Sequence, residues 1–148
     1  MRFSSSSFDA TLFGDMIHVE SASVTITDDS AVAKSRGIPD GYTHGGVGCD
    51  VELELDLMNF RKAQKAARSA GSWRGVKPED MLFYANNGED EDKVQLFGVK
   101  FLISDLLSID PNSADKTKRK LKGFVTSPNF VRINDIPYLS SADTRGLV

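Results

Sequence analysis

The sequence contains few of the residues on which most catalytic and metal sites depend. It has one cysteine, Cys49, and two histidines, His18 and His44, among 148 residues. A single cysteine excludes an intramolecular disulfide and a metal site built from cysteines alone. No apolar run approaches the roughly 18 residues of a membrane-spanning helix, and the segment after Met1 lacks the apolar core of a signal peptide. We therefore expect a cytosolically made, single-domain protein over 1–148, with no membrane partner.

The charge balance lacks a cationic excess. Lysine and arginine number 18 against 21 aspartates and glutamates, which gives a net charge of −3 with neutral histidines. Domains that bind nucleic acid through their backbone phosphates are usually basic. The sequence therefore does not predict specific nucleic-acid binding.

No arrangement of residues predicts catalysis or a bound metal. A Cys49–His44 nucleophile pair is conceivable, but Cys49 falls on the apolar side of a strand, where cysteine usually acts as a small buried hydrophobe. His18 has no partner at a metal-binding spacing. The glycines of 45–48 fail the dinucleotide-binding pattern and precede a strand, whereas a phosphate loop opens a helix. We expect no catalytic residue, no metal and no cofactor.

Apolar and polar residues alternate with a period of two over most of the chain, which is typical of strands. Gly98 marks a bulge because the apolar parity changes there, and Asn134-Asp135 marks a tight turn. The predicted strands cover residues 8–13, 16–27, 49–57, 81–85, 93–106, 118–126 and 131–139. Within 16–27 the apolar parity changes between Val19 and Val24, which predicts a bulge or bend near 21–23. This pattern predicts a mainly β fold (α+β), an antiparallel sandwich or barrel of about seven strands with one flanking helix.

One helix interrupts the strands, over residues 59–70. Asn59 is a typical N-cap, Phe60 to Ala70 has small residues at helical spacing, and Gly71 is a typical helix stop. Four lysines and arginines make its outer side basic.

Residues 31–48 show no clear strand or helix pattern. They include five glycines and Pro39, which disfavour a helix and a central strand alike. Loops this long inside compact domains are usually functional or disordered. We therefore predict a long flexible loop over 31–48.

Four carboxylates follow one side of the predicted strand 49–57. Its odd-numbered residues are apolar, and its even-numbered residues are Asp50, Glu52, Glu54 and Asp56. Side chains two apart on one face lie about 7 Å from each other, within the Debye length of about 8 Å at physiological salt, so the four charges repel. A solvated outer face tolerates this repulsion. Paired carboxylates for glycoside cleavage would need a separation of roughly 5–9.5 Å and a cleft with aromatic sugar platforms, which the sequence does not display.

A basic run covers residues 116–122, with Phe124 as the only aromatic residue near it. Non-specific contact with nucleic acid is one interpretation. A charged sheet edge that discourages aggregation is the simpler one.

Several segments together resemble a phage and prophage family that has long been labelled uncharacterised and is similar to the tail tube proteins of contractile-tailed phages. The resemblance covers about residues 8–145. The segments that carry it are 19–28, 33–42, 66–72, 96–100, 103–111, 125–134 and 136–139.

The resemblance implies a structural subunit that forms hexameric rings, which stack into a tube inside a contractile sheath and conduct DNA. It implies self-association and a sheath partner, assembly in the bacterial host cytoplasm and a final location in the virion tail. The loop would contact the neighbouring ring through Lys34, Arg36, Gly37, Pro39, Asp40, Gly41 and Tyr42. We add the hypothesis that Asp50, Glu52, Glu54 and Asp56 face the lumen, because carboxylates do not hold phosphates.

A second function remains open, namely a non-enzymatic baseplate-type or carbohydrate-binding module of a phage particle. Such a module needs an exposed aromatic cluster, and Trp73 and Tyr42 are the candidates.

Overall fold

The computed structural model describes residues 8–12, 14–17, 19, 21–86, 88–106, 111–112 and 118–147. His18 and the first two residues of the basic run, 116 and 117, lie outside the described residues. No helix in the described part is long and apolar enough to cross a membrane.

The described ranges contain eleven strands and one helix. In chain order these are β1 (Asp9–Leu12), β2 (Asp15–Ile17), β3 (Ser21–Asp28), β4 (Ala31–Ser35), β5 (Ile38–Thr43), β6 (Val47–Asp56), α1 (Leu57–Ala70), β7 (Glu79–Asn86), β8 (Glu91–Asp105), β9 (Lys118–Val125), β10 (Val131–Ile133) and β11 (Ile136–Pro137).

All described strand pairs are antiparallel. Nine strands form one sheet in the order β2-β1-β7-β8-β9-β6-β3, with β10 joined to β8 and β11 to β10. The strands β4 and β5 form a separate two-stranded sheet. The predicted class, mainly β and antiparallel with one helix, is confirmed. The strand number exceeds the predicted seven because two predicted strands are each divided and the predicted loop contains a hairpin.

The prediction of one strand over 16–27 is wrong. Its first part is β2, which pairs with β1 at one edge of the nine-stranded sheet, and its second part is β3, which pairs with β6 at the other edge. The apolar parity changes between Ile17 and Val24, so one continuous strand would not keep a single face against the core. The chain resolves this conflict by crossing between the two edges. The predicted stretch 131–139 is a short hairpin, β10–β11, and the tight turn predicted at Asn134-Asp135 is confirmed by a positive φ at both residues.

The long strand β8 bends at Gly98. Before Gly98 β8 pairs with β7 and β10, and from Val99 onward it pairs with β9, with Val99 also paired to Glu79 of β7. Gly98 has φ of +64°, and the register with β7 shifts beside it, between Glu79 and Met81. The predicted bulge at Gly98 is confirmed.

Strand β6 supplies the centre of the core. Its inward side chains are at most 3% exposed and comprise Cys49, Val51, Leu53 and Leu55. The predicted alternation over 49–56 is therefore confirmed. The expectation that Leu57 continues this apolar face is wrong, because Leu57 is the first residue of α1 and is 41% exposed.

Helix α1 begins at Leu57, two residues before the predicted start at 59, because its N-cap is Asp56 and not Asn59. The Asp56 carboxylate accepts hydrogen bonds from the Asn59 backbone N–H, at 2.8 Å, and from the Asn59 side-chain amide, at 2.9 Å. The helix ends as predicted, with Gly71 at φ of +86° donating its N–H to the Arg68 carbonyl. The face buried against the sheet comprises Asn59, Phe60, Ala63 and Ala67.

We expect Asp56→Ala to lower the free energy of unfolding by about 1 kcal/mol, because it removes the N-cap acceptor. The matched control is Asp50→Ala, since Asp50 is an exposed aspartate on the same face of β6 and should change stability by no more than about 0.5 kcal/mol. Urea unfolding of both variants measures the difference. Equal losses would show that the cap does not contribute to folding.

Candidate assembly surfaces

The predicted loop 31–48 is largely a β-hairpin, so the prediction of a segment without regular structure is wrong. The hairpin turns at Arg36 and Gly37, which have φ of +55° and +77°. Two successive residues with positive φ match the twist of the flanking strands and make a tight hairpin turn. The register shifts by one residue opposite Gly41, at φ of +84°. The glycines that suggested a loop instead permit the turn and the bulge.

The hairpin carries large apolar side chains that the rest of the described chain does not cover. Val32 is 59% exposed, Ile38 is 67% exposed and Tyr42 is 70% exposed. Tyr42 packs edge-on against His44, with 5.2 Å between the ring centroids. Exposed apolar surface in one projecting element is typical of an interaction site. Sequence reasoning missed Val32 and Ile38, although the Arg36-Gly37 dipeptide between them is the two-residue turn of a hairpin, with Ser35 paired to Ile38.

Polar contacts close the base of the hairpin. The Asp29 N–H donates to the Gly46 carbonyl at 3.0 Å, and the Tyr138 hydroxyl donates to the Asp28 carboxylate at 2.6 Å. Asp28 also accepts from the Ser30 hydroxyl and N–H. The Ser30 side-chain hydrogen bond is the main cause that lowers the pKa of Asp28 to about 2, with Tyr138 the next. These bonds tie the hairpin to the C-terminal segment.

The carboxylates of β6 lie between the strands β3 and β9. In direct register, β3 supplies a small hydroxyl residue opposite the first three of them, and β9 supplies lysines opposite Glu52 and Glu54 and Phe124 opposite Asp50. We call this surface the polar face. It comprises Ser21, Ser23 and Thr25 on β3, Asp50, Glu52 and Glu54 on β6, and Lys120 and Lys122 on β9.

The register changes the interpretation of both charged rows. Lys122 lies opposite Glu52 and Lys120 lies opposite Glu54, so the carboxylates have cationic neighbours about 5 Å away between Cβ atoms. Strand β9 lies between β8 and β6, so the interpretation of the basic run as a sheet edge is wrong. A groove of about 380 Å³ runs along the polar face beside these four charged residues.

The structure does not bring together Cys49 and His44, the two described residues that the sequence offered as a nucleophile pair. Cys49 is buried, and desolvation raises its pKa to about 11, which keeps the thiol protonated at neutral pH. His44 packs on Tyr42. Within the described residues no group of three or more His, Cys, Asp or Glu side chains is placed to hold a metal ion.

The two aromatic candidates for carbohydrate binding belong to different elements and contact different rings. Trp73 follows α1 and stacks on Phe60, with 5.1 Å between centroids and a 21° angle between planes. Tyr42 lies on β5 against His44. Each of the two rings packs against its own partner. Together they therefore do not form a single aromatic platform for a sugar.

The fold matches subunits of contractile injection systems. A chain in the structure of the sheath/tube terminator of the extracellular contractile injection system PVC, in the extended state, aligns with a TM-score of 0.72 and 12% identity, over 90% of this chain and 97% of that chain. A chain of the PVC sheath–tube complex in the extended state gives a TM-score of 0.70 and 12% identity, over 90% and 91%. The fold is therefore of the class used by tube and tube-terminator proteins.

Sequence comparison narrows this class to a phage family. A protein of Haemophilus phage HP1 (strain HP1c1), named "Putative tail tube protein", is 51% identical over 147 residues, which cover 99% of this chain and 98% of that protein. The family model described as "Bacteriophage HP1, Orf24" matches residues 6–139. The chain belongs to this phage tail tube family, and the predicted resemblance is confirmed.

Proposed function

We propose that this chain is the repeating structural subunit of a phage contractile tail tube, with a mechanical and not a catalytic role. Its relative in phage HP1 supports this function through its name and 51% identity. The fold shared with the PVC chains supports it independently.

The subunits form hexameric rings, and the rings stack through the β4–β5 hairpin. The observation that carries this proposal is the exposure of Val32, Ile38 and Tyr42 on a hairpin separate from the nine-stranded sheet. Burial of one such side chain contributes about 1.5–3 kcal/mol relative to leaving it in water. Together with Val32 and Ile38, the hairpin residues that contact the neighbouring ring are Lys34, Arg36, Gly37, Pro39, Asp40, Gly41 and Tyr42.

The polar face lines the lumen through which DNA passes, and the outer surface of the tube contacts the sheath protein. The register supports the lumen assignment for Glu52 and Glu54, because acids and lysines that face one another offer phosphates few unpaired cations. Asp50 lies opposite Phe124 and continues the acidic row. Asp56 ends the row and uses its carboxylate to cap α1. Assembly takes place in the host cytoplasm, and the finished tube resides in the virion tail.

We expect Ile38→Glu combined with Tyr42→Glu to abolish tube formation while leaving the subunit folded. A carboxylate at each position would lose its hydration at the interface. Burial of such an unpaired charge is strongly unfavourable. The matched control is Ile136→Glu, because Ile136 is also an exposed isoleucine in a short hairpin, at 69% against 67% for Ile38.

Negative-stain electron microscopy of concentrated protein measures tube number and length, and circular dichroism checks folding. We expect tubes from the parent chain and from the Ile136 variant. Normal tubes from the Ile38/Tyr42 variant would exclude the hairpin as the stacking element. Absence of rings and tubes from the parent chain at every concentration would contradict the tube function itself.

A further inference from the structure

Large apolar side chains around the first turn of α1 are exposed. They are Met16 on β2, Leu57 and Met58 on α1, and Leu106 just after β8, and Met58 is the most exposed of them, at 74%. We call this surface the apolar patch. Adjacent exposed apolar side chains mark an interaction site, and methionine adapts its shape to an irregular partner surface.

Two cationic side chains hold the members of the apolar patch together. The ammonium of Lys62, on the second turn of α1, donates to the Met16 carbonyl at 2.7 Å. On the other side, Arg119 donates from Nη1 to the Leu106 carbonyl at 2.6 Å, and its guanidinium lies 5.3 Å from the centroid of the Phe60 ring. The strand β2 and the end of β8 therefore meet at the first turn of α1.

The apolar patch and the β4–β5 hairpin belong to opposite ends of β6. The hairpin leaves the nine-stranded sheet after Asp28, which pairs with Val47, the first residue of β6. Helix α1 begins directly after Asp56, the last residue of β6. The ten residues of β6 span about 30 Å, and both apolar surfaces are exposed. They do not cover each other within one chain and are arranged for contact between copies.

One face of the hairpin combines an apolar side chain with a carboxylate. Ile38 and Asp40 are two residues apart on β5, so their side chains leave the same face, about 7 Å from each other. Val32 and Tyr42 pair with each other on the opposite face, because Ser35, the partner of Ile38, is three residues from Val32 on β4. The Ile38 face therefore offers a partner one apolar group and one negative charge.

Helix α1 presents the matching pair beside the apolar patch. Met58 and Arg61 are three residues apart, so they are neighbours on the helix surface, with about 5–6 Å between their Cβ atoms. Arg61 and Asp40 are exposed, and neither has an ion-pair partner among the residues that the structure describes. The two pairs are complementary in polarity, in charge and in spacing.

We propose that the apolar patch receives the β4–β5 hairpin of a subunit in the next ring, with Ile38 packed on Met58 and Asp40 paired with Arg61. The occupant is a second copy of this chain, since its hairpin supplies both the apolar group and the opposite charge. Because each copy contributes a different surface, the contact is head-to-tail, and such a contact extends into a filament when it does not close. The inference rests on the proposed stacking through the hairpin and names the surface that receives it.

The first test exchanges the two charges. The variants are Asp40→Arg, Arg61→Asp and the double variant with both changes, and the control is Arg145→Asp, at an exposed arginine outside both surfaces. We expect each single variant to need about tenfold or more higher concentration to form tubes, because like charges then face each other. The double variant should form tubes at a concentration close to that of the parent, since the pair is restored with its charges exchanged. The control should match the parent, and light scattering measures tube formation.

The second test joins the two surfaces covalently. A variant with Ile38→Cys and Met58→Cys carries one new thiol on each surface, and the native Cys49 is buried. A disulfide forms only when the two Cα atoms come within about 7 Å. Mild oxidation of assembled tubes should therefore give a ladder of covalent multimers on a non-reducing gel. The matched control, Ile38→Cys with Ile136→Cys, places its second thiol on another exposed isoleucine and should give no ladder.

Single charge variants that assemble like the parent, a double variant that does not recover, or tubes of the Ile38/Met58 variant that give no ladder would each overturn the proposal while leaving the tube function intact. If the cysteine variant forms no tubes, the charge exchange decides. Normal tubes from a Met58→Glu variant that no longer binds the sheath protein would assign the apolar patch to the sheath and would also overturn the proposal. A parent chain that forms no tubes at any concentration would contradict the tube function on which the inference rests.

Discussion

Gly98→Ala should lower the free energy of unfolding by about 2–5 kcal/mol, because it combines backbone strain with a steric clash. A side chain at φ of +64° costs about 1–2 kcal/mol, and overpacking at a filled site typically costs about 1–3 kcal/mol. A Cβ at this position would lie 3.0 Å from the Thr126 hydroxyl oxygen and from the Ser127 Cβ. Thermal unfolding should shift downward by about 6–15 °C.

The bend at Gly98 is also held by hydrogen bonds that the substitution would disturb. The Gly98 N–H donates to the Asp80 carboxylate at 3.0 Å, and the Gly98 carbonyl accepts from the Thr126 N–H and hydroxyl. Gly88→Ala is the matched control, because Gly88 has φ of +89° with open space where a Cβ would be. It should show the strain cost alone. If both variants lose the same stability, the packing at the bend contributes nothing beyond strain.

Reversal of three carboxylates, by Asp50→Lys, Glu52→Lys and Glu54→Lys, should convert the polar face into a DNA-binding surface. The new lysines would join Lys120 and Lys122 on neighbouring strands. Phosphates bound there would release counterions, so affinity should fall steeply between 50 and 200 mM salt, with a slope of about −0.9 per phosphate contacted. In an assembled tail, DNA should pass slowly or stall.

The same reversal should cost about 1–2 kcal/mol in stability, because two opposite-charge pairs across the strands become like-charge pairs. Asp9→Lys, Asp40→Lys and Asp90→Lys together provide a control with the same change in net charge on separate elements. Fluorescence anisotropy with a short duplex compares DNA binding, and urea unfolding compares stability. DNA binding equal to that of the control would show that the polar face is an ordinary solvated surface.

The one-dimensional pattern of the sequence was sufficient for features that depend on a single segment. The alternation over 49–56 predicted which side of β6 is buried, since successive side chains of a strand point to opposite faces. Gly98 and Gly71 predicted a bulge and a helix end because each position requires a positive φ that glycine adopts easily. The resemblance to tail tube proteins rested on segments spread along the chain, and the family match confirms it.

Features that depend on which segments become neighbours required the tertiary structure. The lysines opposite Glu52 and Glu54 come from a strand about 70 residues away, and nothing in either segment specifies that register. Asp56 acts as the helix cap, and not only as the last acid of the row, because the chain turns from strand to helix without a linker.

The split of 16–27 and the form of 31–43 show the same limit. Parity within 16–27 indicated a conflict, but only the sheet order revealed that β2 and β3 occupy opposite edges. Glycines in 31–48 indicated special backbone geometry, and the pairing of β4 with β5 decided that this geometry is a hairpin turn and a bulge. Local sequence thus determined the strand periodicity, the glycine turns and the burial of one face of β6. Strand order and charge pairing were decided by contacts between distant segments, because the energies of those contacts depend on the whole packed core.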